Sequence, residues 1–240
     1  MIGIHNFGWR LGNQLFQIAS LMGLAHKTGF QPVIPDIWKY KEYFPACEKW
    51  LGNFQSKLIV RIPSFHFVGF DNITYDNIML DGYLQSYKYF DFIKDYIQVL
   101  FQLKENEFKY DIPYTSIHIR RGDYLKYPDH HPVLSLDYYN RAIENIGINQ
   151  DFVICTDDKP YCQELINQNK FASKNMFISD GKDEITDFST MTICKNNIIA
   201  NSSFSWWAAY LNRNKNRKVI SPNPNKNWFG PAYAHWQMDD

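Results

Sequence analysis

The sequence predicts an α/β fold built on parallel sheets. Three observations carry this expectation. Short apolar runs alternate with helical patterns along the chain. From about 112 to 222 the alternation is a regular strand–helix repeat, with a looser version before it. Glycine, arginine and serine fall just after the apolar runs, and the carboxyl ends of parallel strands are where such folds hold ligands.

The elements follow in order. Met1 to Ile4 reads as a first strand, then a glycine-containing loop, then a helix with Leu15, Ile18, Met22 and Ala25 on one face. Phe30 to Ile34 is the next expected strand, and 36–75 is irregular and aromatic. Order returns with a strand at Asn77 to Leu80 and a helix over Tyr89 to Leu103. A buried strand ends at Ile119, and a helix over Leu136 to Ile146 has Leu136, Tyr139, Ile143 and Ile146 in register and Gly147 as its stop. Phe152 to Cys155 is a strand, and Asp157 or Asp158 caps the helix that begins near Pro160. Met176 to Ser179 is a strand, Asp187 opens a helix, and Asn197 to Ala200 is a strand. Ser202 or Ser203 caps a helix through Leu211, and Lys218 to Ser221 ends the pattern. The charged stretch Lys104 to Ile112 divides the chain into expected domains 1–108 and 109–240.

Bulk properties narrow the function. Lys+Arg and Asp+Glu both number 25, so the chain lacks the basic excess of a nucleic-acid binder. No apolar run is long enough to span a bilayer and no signal peptide is evident, which points to a cytoplasmic protein with no membrane span. Cys47, Cys155, Cys162 and Cys194 show no metal-ligand spacing and are expected to be reduced and buried. Asp157 and Asp158 have no acidic or histidine partner at a useful spacing, so no metal site is expected.

Three loops carry chemistry. The first, Gly8 to Phe16, places Gly12, Asn13 and Gln14 at a helix start, where small residues and backbone N–H groups admit an anion. It lacks the lysine and hydroxyl of a P-loop. The second is His118-Ile119-Arg120-Arg121-Gly122-Asp123-Tyr124. Guanidinium groups at a strand end imply phosphate or carboxylate, because the planar fork matches either. Neighbours on a strand point to opposite faces, so one arginine meets the anion and the other braces the loop, with Asp123 as its partner. The third, Ala200-Asn201-Ser202-Ser203-Phe204, runs from a strand into a helix whose free N–H groups suit a diphosphate. Asp187 can cap its helix or accept hydrogen bonds from a base edge, and His131, beside His130, is one place for a base, since histidine as a residue type can exchange a proton near neutral pH.

Together, in this order, the motifs resemble the α-1,2-fucosyltransferase family that uses GDP-fucose. The chain carries Arg10 to Gln17, then Gly82-Tyr83-Leu84-Gln85-Ser86-Tyr87-Lys88-Tyr89-Phe90, then the arginine motif, Thr156-Asp157-Asp158, and Ala200 to Trp207. It departs from the family pattern in Thr156, where the pattern has serine, and in a compact stretch before Gly82. The resemblance is to soluble bacterial or viral members. It implies a GT-B fold of two Rossmann-like halves facing a cleft, the donor on the second and the acceptor on the first, and an inverting, metal-independent transfer of fucose to a galactose-ended glycan. By similarity Arg120 holds the β-phosphate, His118 and Asp187 lie near guanine and ribose, and Ser202, Ser203 and Phe204 line the pyrophosphate. The base is His131, Asp123 or an acidic residue of the first half. The same fold with another nucleotide sugar, or a non-catalytic nucleotide-sugar or glycan binder, are the rival expectations.

Overall fold

The structure is a computed structural model that describes residues 1–62, 67–104, 112–129 and 131–222. The chain divides into two compact units whose main segments are Met1–Glu105 and Asn106–Pro231. The domain boundary expected at 108/109 lies outside the described residues.

In the first unit, strands β1 (Ile2–Ile4), β4 (Ile59–Arg61) and β5 (Ile78–Asp81) form a parallel sheet in the order β1-β5-β4. Helix α1 (Leu11–Thr28) follows β1. It is buried nearly all round from Leu11 to Leu24, a correction to the single apolar face expected. Donors among the polar groups this buries are occupied: the Gln17 amide nitrogen donates to the Asn6 and Gly82 carbonyls, and the Ser20 hydroxyl donates to the Leu84 carbonyl, while Gln17 Oε1 has no hydrogen-bond partner among the described residues. A methyl on Gly23 would lie 1.9 Å from the Tyr89 carbonyl, so the helix approaches as closely as it does only because that residue is glycine.

The strand expected over Phe30 to Ile34 shrinks to β2 (Ile34–Pro35), paired with β3 (Leu51–Gly52), because Pro32 and Pro35 lack ladder donors. The irregular stretch holds two 3-10 turns, Lys41–Tyr43 and Pro45–Trp50. The helix expected from Tyr89 is α2 (Lys94–Leu100) alone. The non-helical backbone at Phe90 (φ −142°, ψ −2°) breaks the segment into 3-10 turns, which seat Tyr89 and Phe90 in the core.

The second unit follows the sequence pattern more closely. It contains β6 (Ile112–Ile119), α3 (Leu136–Ile146), β7 (Phe152–Thr156), α4 (Lys159–Asn167), β8 (Met176–Ile178), α5 (Glu184–Ile193), β9 (Cys194–Ile198), α6 (Ser203–Leu211) and β10 (Val219–Ile220). All five strands are parallel, in the order β10-β9-β6-β7-β8. The first strand lies at the centre; the chain winds outward through β7 and β8, then crosses to β9 and β10. Strand order reverses between β6 and β9, which is the place a doubly wound sheet opens a binding crevice.

Ile117, Phe152, Ile154 and Ile198 pack against Tyr139, Ala142 and Ile143 of α3 and Cys162 of α4. The ninth strand starts at Cys194 rather than Asn197. Its polar start reads as a loop, but the Asn196 and Asn197 amides donate to Thr115 and Ser116 of β6, and Asn212 donates to Asn197. Paired amides make a polar central strand affordable. The four cysteines are buried and unbridged. Burial pushes the Cys47 and Cys194 thiols up to about 12, which leaves them inert.

Candidate active site

Register alone brings the acidic pair to the arginines. Ile119 pairs with Thr156, so Arg120 leaves β6 beside Asp157 leaving β7. The Arg120 guanidinium donates to Asp157 Oδ2 at 2.5 Å and, through its other terminal nitrogen, to Asp123. Its side chain is only 10 % exposed and lies over the Tyr124 ring, 5.3 Å from the centroid. Asp157 also accepts the Arg121 backbone N–H at 2.9 Å. The Arg121 side chain turns to α4, where Nε donates to Asp158 at 2.9 Å and the guanidinium stacks 3.5 Å above Tyr161.

This corrects the expected pairing. Arg120, not Arg121, is the partner of Asp123, because the chain enters a 3-10 turn at Asp123–Lys126 that folds the carboxylate back over the first arginine. Gly122 lets Asp157 in: a methyl there would sit 2.5 Å from Asp157 Oδ2. The capping expectation resolves toward Asp158, which accepts from the Tyr161 N–H. Asp157 is therefore an arginine holder, a role that capping logic missed and that the parallel register would have revealed.

Across the switch point lies the serine-rich turn. Ser202 is the N-cap of α6 and accepts from the Phe204 N–H. Ser203 opens the helix, and Asn201 donates to the Pro132 carbonyl. The Tyr124 hydroxyl donates to the Asn201 carbonyl at 2.8 Å, joining this turn to the arginine loop. His118 is buried on β6 with its ring 5.4 Å from Phe204, whose other neighbour is Phe188. His131 stacks on Tyr124, 4.7 Å between centroids; His130 lies outside the described residues.

Asp187 does not open its helix. Asp183 caps α5, accepting from the Thr186 N–H and hydroxyl, and Asp187 sits one turn further in. Its Oδ1 is buried and accepts no hydrogen bond among the described residues. Burial pushes the carboxyl above its usual range, with the Ser179 hydroxyl acting the other way.

The structure thus gathers His118, Arg120, Arg121, Asp123, His131 and the turn Asn201, Ser202, Ser203 and Phe204 at one end of the second unit's sheet. Gly12, Asn13 and Gln14 belong to the first unit. There Gln14 accepts from the Trp38 indole at 3.1 Å, and Asn13 accepts from Gln85 at 2.7 Å. Gly12 and Gln14 are buried at this helix start, and Asn13 is partly buried.

A family model described as Glycosyl transferase family 11 matches residues 48–236. The chain belongs to that family. Among curated relatives it is 38% identical over 125 residues to the O-antigen biosynthesis glycosyltransferase WbnK of Escherichia coli, covering 48% of this chain and 39% of that one. It is 33% identical over 121 residues to an alpha-1,2-colitosyltransferase of the same species, covering 48% and 41%. It is 23% identical over 232 residues to galactoside alpha-(1,2)-fucosyltransferase 1 of Alouatta caraya, covering 84% and 63%. The chain therefore spans less than two thirds of the length of each of these relatives. Among solved structures it is similar to POFUT1 in complex with GDP-fucose, with a TM-score of 0.58 at 12% identity, covering 92% of this chain and 97% of that one. That likeness shows the fold, a GT-B-like α/β architecture with parallel sheets. Among the described residues of this family 11 chain, no helix is long and apolar enough to cross a membrane.

Proposed function

We propose that the chain transfers L-fucose from GDP-fucose to a hydroxyl, the 2-OH of a galactose, of a glycan acceptor, with inversion at the anomeric carbon. The observation that carries this reading is Arg120, gripped by two carboxylates beside the N-terminal turn of α6 at the sheet's switch point. Rupture of the sugar–phosphate bond leaves charge on GDP, and a fixed cation there stabilises the transition state more than the ground state. Asp123 and Asp157 hold the fork in place, so little reorganisation accompanies reaction. The diphosphate takes the helix start at Ser202, Ser203 and Phe204, and the unsatisfied Asp187 oxygen takes an N–H donor of the guanine edge. Arg121 braces the loop through Asp158.

The acceptor hydroxyl attacks opposite GDP. Its proton goes to His131, Asp123 or an acid of the first unit; the hold of Arg120 on Asp123 favours the histidine. Arg120 takes the charge-neutralising role, and the transfer needs no metal. The test is incubation with GDP-fucose and galactose-ended oligosaccharides, with and without EDTA, read by product mass and linkage. Transfer that EDTA leaves intact supports the reading; GDP binding without turnover on any acceptor removes it. The colitosyltransferase relative favours one rival, a colitose donor in place of fucose, which the same assay decides by donor competition.

A further inference from the structure

The first unit carries a feature that nucleotide binding does not use. Strands β1 and β5 are parallel neighbours, with Ile4 opposite Leu80, so the loops that follow them leave the sheet at the same end. One loop delivers Trp9, the other Tyr83. Their rings stack at 4.4 Å between centroids and 28° between planes, and Trp9 is 48 % exposed.

The backbone there is unusual. Trp9 has φ +64° and Leu84, next to Tyr83, has φ +53°. Bulky residues adopt this region only where their surroundings hold them, and such positions cluster at binding and catalytic sites. The holding contacts are present: Gln14 donates to the Trp9 carbonyl, Gln17 bridges the Asn6 and Gly82 carbonyls, and Gln85 donates to Asn13. A core plug would be covered; this pair is fixed in place and half open to solvent.

Polar groups stand on the same end of the sheet. Asn6 donates to Asp81 at 2.7 Å, and Arg61 lies 3.6 Å from the same carboxylate. A flat aromatic surface with hydrogen-bonding groups near it suits a pyranose, whose C–H groups meet the negative ring face while its hydroxyls meet the polar groups. Galactose suits it best, because its axial 4-hydroxyl leaves H3, H4 and H5 together on the opposite face.

We propose that the stacked rings of Trp9 and Tyr83 form the seat for a galactopyranose of the acceptor glycan. The assignment rests on reading the chain as a galactoside fucosyltransferase, yet sugar binding can fail separately from transfer. The test uses the full chain with lactose, methyl β-galactoside and the corresponding glucosides and mannosides. Saturation-transfer NMR and acceptor KM are read alongside GDP affinity by calorimetry. Trp9→Gly removes the ring and relieves the backbone, so it is expected to fold at least as well as the parent. Trp9→Gly and Tyr83→Ala are each expected to weaken galactoside binding about tenfold, on the scale of one lost ring contact. Tyr83→Phe should retain it, and GDP affinity should hold in all of them. Unchanged galactoside binding in Trp9→Gly and Tyr83→Ala, or no saturation transfer from the parent chain to any sugar, overturns the platform. Loss of GDP binding or turnover in the parent would instead overturn the fucosyltransferase reading.

Discussion

Arg120 differs from a surface arginine in what has already been done to it: its charge is opposed by Asp123 and Asp157, and its side chain is largely out of water. A diphosphate arriving there meets an oriented fork. Arg120→Ala is expected to lower turnover ~10²–10³-fold, comparable to losing one preorganised donor. Arg120→Lys should also impair it, since a point charge cannot span both carboxylates. Asp157→Asn keeps the shape and one acceptor, so a smaller loss of about tenfold in kcat is expected, the scale of one weakened charge-assisted hydrogen bond. Single-turnover kinetics would check all three, and full activity in Arg120→Ala would end its assignment. Asp187 gives a pH prediction. Burial raises its carboxyl in the folded chain, so stability falls as pH rises from the ordinary carboxylate range through that raised value. Asp187→Asn should therefore stabilise the chain at neutral pH, with the gain shrinking toward pH 4, and should weaken GDP. Denaturant titrations at both pH values, with GDP affinity, would reveal an Asp187 that is only structural by an unchanged affinity.

At the scale of elements, helix α3 and the starts of β7 and β8 were legible because their apolar patterns are undisturbed: Leu136 to Ile146 needs only Ser135 before it and Gly147 after it. Two elements were not. The helix sought at Tyr89 breaks at Phe90, since two adjacent aromatic rings enter the core there. The start of β9 hid behind asparagines that become acceptable only when β6 supplies partners. At the site, the arginine motif and the serine turn could be read from the sequence, but the bond from Arg120 to Asp157 is a property of the β6–β7 register. Gly122 makes that register chemical. Gly122→Ala should push the Asp157 carboxylate away and reproduce the kcat loss of Asp157→Asn. Gly23→Ala, whose methyl meets the Tyr89 carbonyl, should instead destabilise by about 1–3 kcal/mol with GDP affinity unchanged in the folded fraction. Similar stability losses with no kcat effect from Gly122→Ala would show that the arginine loop tolerates the intrusion.

At the scale of the whole molecule, the proposed chemistry divides between the two units. Charge-bearing groups suited to a nucleotide diphosphate lie after β6, β7 and β9, while the exposed aromatic pair lies after β1 and β5. Each unit has its own parallel sheet, so each ligand should stabilise the unit that holds it. A ligand at a hundred times its Kd adds about 2.7 kcal/mol to the state that binds it, enough to slow amide exchange roughly a hundredfold where exchange needs that unit to open. Saturating GDP is thus expected to protect 119–125, 156–158 and 199–204 and to leave 6–14 and 82–86 at their original rates. A saturating galactoside should do the reverse. Hydrogen exchange read by mass spectrometry separates these patterns in one experiment. Protection of the first unit by GDP alone would place the nucleotide on α1 rather than α6, and the roles of Arg120 and Ser202 would fall together.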